Sequence, residues 1–124
     1  MAYNVEPLIT YTVTANKRET LFIDGYIQAI YFTENVCLPD NIDRDRDLDS
    51  DFLRESISDC LAFCNHNICY LSDDQLDLAG HDFWLTRNGH GTGFWDRTEI
   101  YGHYAERFTK VSENFGSVSA IFEE

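Results

Sequence analysis

The chain has 124 residues, a length that suits a single domain with one hydrophobic core. Its 44% apolar and 15% aromatic residues exclude an intrinsically disordered protein. The 22 acidic and 9 basic residues give a formal net charge of −13, which argues against direct nucleic-acid binding and favours a partner protein with a basic surface.

The first part of the chain contains a strand-like segment and then a helix signal. Leu8–Ala15 is rich in alternating β-branched residues, which favours a short strand or an ordered arm. Asn16 and Glu19 have the spacing of a capping box, and apolar residues then recur at helical spacing to about Asn35. Gly25 weakens this helix, because glycine costs about 1 kcal/mol relative to alanine.

An acidic segment at residues 39–51 follows the first helix. It contains one proline, six aspartates and two arginines, a composition that indicates a solvated loop. Its alternating aspartates suggest a calcium loop, but the sixth and twelfth positions lack the required glycine and glutamate. We therefore expect no metal ion and take three side chains of this loop as candidate contacts to a basic partner: Asp43, Asp45 and Asp47.

A second helix is predicted from Ser50 or Asp49, which serves as its cap, to about Leu71. Apolar residues step by three and four along one face of it, and Cys60 and Cys64 lie on that face. Cysteine is readily buried, so this position favours core packing over zinc binding. A short turn from Asp73 to about Gly80 follows.

The segment His81–Arg97, with the sequence HDFWLTRNGHGTGFWDR, is the most informative part of the chain. Aromatic arms near Asp82–Arg87 and Thr92–Asp96 flank an Asn-Gly pair, the pattern of a β-hairpin. Such a hairpin places its two tryptophans close together and leaves one aromatic pair accessible. Tryptophan and arginine dominate interface hot spots, so the candidate binding residues of this segment are Trp84, Arg87, His90, Trp95, Asp96 and Arg97.

A third helix is predicted over Glu99–Asn114, with Gly116 as its stop. Ser117–Phe122 alternates apolar and small residues and reads as a last strand. The expected fold is therefore α+β: a small antiparallel sheet, made of the hairpin at 82–96 and the strand at 117–122, packs against about three helices. Residues 1–124 form one domain.

A second interpretation starts from four ionisable residues of the hairpin: His81, Asp82, His90 and Asp96. A His–Asp pair can act as a general base or bind a metal. However, cross-strand Asp–Arg pairs often only fix the register of a hairpin, and no serine or cysteine nucleophile lies close in sequence. A small enzyme or ligand-binding domain therefore ranks second, and we assign no catalytic residue, metal or cofactor.

Gly80 to Arg97 reads Gly-His-Asp-Phe-Trp-Leu-Thr-Arg-Asn-Gly-His-Gly-Thr-Gly-Phe-Trp-Asp-Arg. With Thr92 as a variable position, this segment resembles the shared motif of small proteins encoded mainly by tailed bacteriophages and related mobile elements. The resemblance extends more loosely to Tyr26–Ala29 and to the final helix and strand, so it covers about half of the chain. It implies a phage or mobile-element origin but no particular chemistry. After Arg97 the chain departs from the family's glycine-rich connection.

Together, these observations predict a non-enzymatic phage accessory protein that binds and modulates a host defence or nucleic-acid-processing protein. Inhibition by acidic charge mimicry is the expected mode. The chain lacks the pattern of a secretory signal and an apolar run of membrane-spanning length. We therefore expect it in the host cytoplasm, with reduced cysteines and no membrane partner.

Overall fold

The computed structural model describes residues 15–37 and 48–123, with side chains described as far as residue 34 in the first range. These residues form five α-helices: α1 (Lys17–Cys37), α2 (Ser50–Asn67), α3 (Leu76–Arg87), α4 (Thr98–Tyr101) and α5 (Tyr104–Phe115). Short 3₁₀ turns lie at Ile68–Tyr70, Asp73–Gln75 and Phe94–Asp96. Residues 8–14 of the predicted first strand lie outside the described residues, as do Asp43, Asp45 and Asp47 of the acidic loop.

The predicted α+β fold is wrong, because the described part of the chain is mostly helical and contains no sheet. Its one strand-like feature is an isolated antiparallel bridge between Leu48 and Phe122. Beside that bridge, the Asp49 N–H donates to the Ile121 carbonyl at 2.8 Å. The predicted strand at 117–122 is therefore an extended tail. The alternating apolar residues of this tail pack on the helical core: Val118, Ala120 and Phe122.

The predicted hairpin at 82–96 is also wrong. Its first arm is the second half of α3, and its second arm is an irregular segment that ends in the 3₁₀ turn Phe94–Asp96. The Asn-Gly pair ends the helix: Gly89 has φ 68°, and its N–H donates to the Thr86 carbonyl at 3.2 Å. The N–H of His90 donates to the Leu85 carbonyl at 3.0 Å, which completes a Schellman motif.

Three helix ends that the sequence predicts are confirmed, whereas the second helix ends at Asn67 and not near Leu71. The Asn16 side chain accepts from the Glu19 N–H at 2.8 Å, and the Glu19 carboxylate accepts from the Asn16 N–H at 2.9 Å. Asp49 caps α2 through its carboxylate. The last predicted helix is present but is divided into α4 and α5 at Gly102, whose φ is 62°, and α5 ends before Gly116.

Helices α1 and α3 cross with their backbones in contact, at Gly25 and Gly80. A Cβ atom on Gly25 would lie 1.9 Å from the Asp77 carbonyl oxygen, and one on Gly80 would lie 1.9 Å from the Phe22 carbonyl oxygen. No side chain fits at either position. Gly25 lowers the helix propensity of α1, but its lack of a side chain allows the backbones of α1 and α3 to approach closely. Around this crossing the core is built largely from buried aromatic rings: Phe22, Tyr26, Phe63, Phe83, Trp84, Phe94 and Phe108.

Candidate functional site

Trp84 lies inside the protein, although the sequence makes it a candidate contact residue. Its side chain is only 2% exposed, and its indole N–H donates to the Thr33 hydroxyl at 2.9 Å. The ring meets that of Tyr26 edge-on, with centroids 5.5 Å apart. Both partners come from α1, so the expected accessible role of Trp84 is corrected: it joins α3 to α1.

Arg87 is likewise internal, at 4% exposure. Its guanidinium pairs with Asp59 of α2 at 2.8 Å and donates to the Tyr26 hydroxyl at 3.1 Å. It also donates to the carbonyl oxygens of Phe115 and Gly116 at 3.2 and 2.8 Å. Burial alone would lower the pKa of Arg87, but the Tyr26 hydroxyl and the Asp59 carboxylate have a larger opposite effect, so this pKa is raised. Arg87 therefore joins α3 to three other helices, α1, α2 and α5, and does not offer a surface.

Asp82 and Arg97 form a second internal ion pair. The Asp82 carboxylate is fully buried and accepts from Arg97 Nε at 3.0 Å and from the Tyr101 hydroxyl at 2.8 Å. Burial raises the pKa of Asp82, while these two donors act in the opposite direction. Arg97, another candidate contact, is thus engaged with α3 and fixes the 3₁₀ turn that precedes it.

The four ionisable residues of the second interpretation do not form one site. His90 and Asp96 are exposed, and within the described residues no hydrogen bond or ion pair joins their side chains to His81 or Asp82. Burial lowers the pKa of His81, whose Nδ1 atom is buried with no hydrogen-bond partner among the described residues. No group of three or more metal-ligand side chains occurs in the described ranges.

Trp95 is the aromatic candidate of this segment that faces outward, at 50% exposure. The preceding Phe94 is buried, stacked on Phe63 at 5.7 Å, so the 3₁₀ turn directs the next ring away from the core. The indole forms one wall of a largely apolar groove of about 260 Å³ against α5. We call this the Trp95 groove; its lining residues are Trp95, Thr98, Ala105, Glu106, Thr109, Lys110 and Glu113.

The charge of the Trp95 groove is dominated by carboxylates. Glu106 and Glu113 lie two turns apart on the same face of α5. Lys110 lies between them and pairs with Glu106 at 3.0 Å, whereas Glu113 makes no side-chain ion pair or hydrogen bond with a described residue. Two further exposed carboxylates, Asp96 and Glu99, follow Trp95 within four residues of the sequence. The groove therefore combines an accessible indole with an excess of negative charge.

The α5 wall of this groove is not among the candidate residues predicted from the sequence. The polar residues of α5 recur at helical spacing opposite its apolar stripe, and that spacing is the signal that identifies a common face. A second depression, of about 380 Å³, runs along α2, where Arg54 already pairs with Asp51 at 2.6 Å. It has no aromatic wall and is built by one helix, so it is the weaker candidate.

In comparisons with protein-family models, with curated proteins and with solved structures, no match to this chain was found. The resemblance to small phage proteins therefore stays a prediction. Among the described helices, none combines the length and apolar character needed to cross a bilayer.

Proposed function

We propose that this protein acts by binding, as a phage accessory protein that inhibits a host defence or nucleic-acid-processing protein with a basic surface. The observation that supports this most directly is the accessible indole of Trp95 in an acidic groove. The neighbouring large side chains of the same segment, Phe83, Trp84 and Phe94, are all committed to the core. A half-exposed tryptophan is the residue type that most often anchors an interface.

The surface charge supports a basic partner. Exposed carboxylates of the described residues are spread over the helices from α2 to α5, the turns and the C-terminal tail: Asp51, Glu55, Asp73, Asp74, Asp77, Asp96, Glu99, Glu106, Glu113 and Glu123. Several cations are already engaged, because Arg18 pairs with Asp73, Arg54 pairs with Asp51, and Lys110 pairs with a glutamate of its own helix. The remaining negative field attracts a basic protein and accelerates their encounter at low salt.

The chemistry of the groove favours binding over catalysis. Its polar side chains are two threonines, two glutamates and a lysine, and none of the histidines of the second interpretation lines it. A groove of this kind suits one protruding side chain of a partner protein.

A binding measurement tests this proposal. The partner is first identified by cross-linking in expressing cells, then purified and titrated with the protein by calorimetry at several salt concentrations. We expect Trp95→Ala to weaken binding by about tenfold or more, and the affinity to fall as salt rises. Phe32→Ala is the matched control, because Phe32 is 59% exposed but does not line the groove.

Two results would count against the proposal. One is that no protein binds specifically at either low or high salt. The other is that the identified partner binds with an affinity that neither Trp95→Ala nor a rise in salt changes. An enzymatic role would then need new support, since the four ionisable residues first considered for it are not assembled in one place.

A further inference from the structure

We infer that the Trp95 groove binds an arginine side chain of the basic partner, with the guanidinium stacked on the indole and paired with Glu113. This inference rests on the proposed function and adds the residue type that the groove recognises.

The indole face is the first argument. Tryptophan is the aromatic residue that attracts cations most strongly, and arginine is the cation found most often over such rings. The other walls include Ala105 and the methyl-bearing side chains of Thr98 and Thr109, which suit the aliphatic stem of a long cationic residue. The volume of about 260 Å³ limits the occupant to about one such side chain.

The carboxylates are the second argument. Lys110 already neutralises Glu106 at 3.0 Å, so Glu113 is the carboxylate of the groove that is open to a new cation. A guanidinium donates two parallel hydrogen bonds to one carboxylate and stacks its plane on a ring at the same time. The ammonium of a lysine is a strongly hydrated point charge and makes neither contact as well.

The protein's own arginines show the same contact elsewhere. The Arg107 guanidinium lies 4.8 Å from the centroid of the Tyr70 ring, and that of Arg87 lies 5.4 Å from the centroid of Phe83. The arginine nearest in sequence to Trp95, Arg97, is held by Asp82 and does not cover the indole. Within the described residues, no cation stacks on Trp95, so its face remains available to a partner.

The test uses three synthetic peptides as probes: hepta-arginine, hepta-lysine and a hepta-citrulline peptide, in which a neutral urea replaces each guanidinium. The two tryptophans give two indole N–H signals in ¹⁵N NMR, which the Trp84→Phe and Trp95→Phe variants assign. Because the Trp84 indole is buried and bonded to Thr33, its signal is an internal control. Hepta-arginine should shift the Trp95 signal alone, and citrulline should shift neither signal.

We expect hepta-arginine to bind roughly two- to fivefold more tightly than hepta-lysine, the factor that a cation–π contact at an exposed site provides. Trp95→Ala should remove that preference, Glu113→Gln should reduce it, and Phe32→Ala should leave it unchanged. If both charged peptides bind equally, or arginine binds without moving the Trp95 signal, the inference is overturned while the proposed function stands. If neither basic peptide binds at low salt, both the inference and the proposed function are overturned.

Discussion

Replacing Gly80 with alanine tests the helix crossing on which the whole core depends. The added Cβ would lie 1.9 Å from the Phe22 carbonyl oxygen, whereas Cβ atoms in real proteins essentially never approach another atom within 3.0 Å. Helices α1 and α3 must therefore move apart by about 1 Å or more. The clashing atom belongs to the backbone of a helix, so no side-chain rotation relieves the contact.

Two opposing effects set the size of the change. Alanine favours a helix over glycine by about 1 kcal/mol, while overpacking of a core costs about 1–3 kcal/mol and sometimes more. A gap of about 1 Å also removes up to half of the dispersion energy of each contact that it opens. The rings across the crossing are close, since the Tyr26 and Phe83 centroids lie 5.2 Å apart. We expect overpacking to win, with a net loss of about 2 kcal/mol in the free energy of unfolding.

Urea unfolding followed by far-UV circular dichroism measures this loss. Gly91→Ala is the control, because a Cβ there meets nothing within 4 Å, and its free energy of unfolding should change by less than about 0.5 kcal/mol. Gly25→Ala should cost as much as Gly80→Ala, and the double variant less than their sum, because the helices have then already parted. A Gly80→Ala variant that is more stable than the wild type would refute the close crossing.

Three further predictions concern buried polar and thiol groups. Arg87→Met should lower the free energy of unfolding by at least about 2 kcal/mol, since it breaks a buried ion pair; Arg54→Met, at an exposed pair, should change it by less than about 1 kcal/mol in the same urea assay. Burial lowers the pKa of His81, so the folded protein favours the neutral ring. The stability gained in this way is present above the unfolded-state pKa of about 6.5 and is lost as pH falls through the folded-state pKa. The wild type should then lose stability relative to His81→Gln between pH 7.5 and pH 5, and a difference that is independent of pH would contradict this. Burial raises the pKa of Cys64 from 9.0 to about 12, which reduces its thiolate by about a thousandfold. In a Cys37→Ser background, removal of the exposed Cys69, and not of Cys64, should therefore eliminate a fast reaction with a thiol reagent.

The sequence predicts three helix ends correctly, because local chemistry determines them. The bonds between Asn16 and Glu19, and the cap at Asp49, join residues three positions apart, so their partners are visible in the sequence. Gly116 ends α5 with a φ of 79°, a conformation that glycine adopts without strain. None of these features depends on the rest of the fold.

The hairpin prediction failed because an Asn-Gly pair serves two structures. Both a type I′ turn and a Schellman motif need a glycine at positive φ, and the residues before the pair decide between them. Here Leu76, Ala79 and Phe83 lie at helical spacing, but a boundary drawn at Gly80 divided that pattern. Gly80 resembles a helix breaker in the sequence, and its role in the crossing with α1 is visible only in three dimensions.

The two Phe-Trp pairs of the chain explain why the candidate site was only partly predictable. Phe83 and Trp84 are both buried because α3 is a central helix, in which every residue from 82 to 87 is covered. Because this half of α3 has no solvent face, its polar side chains need internal partners: Asp82 and Arg87 have ionic partners, and the Thr86 hydroxyl accepts from the N–H of residue 94 at 3.0 Å. Many of the polar residues that suggested a binding segment therefore form the internal contacts that allow α3 to be buried. In the second pair only the phenylalanine is covered, because the 3₁₀ turn directs the Trp95 ring outward, so that indole is the position where a binding measurement separates function from packing.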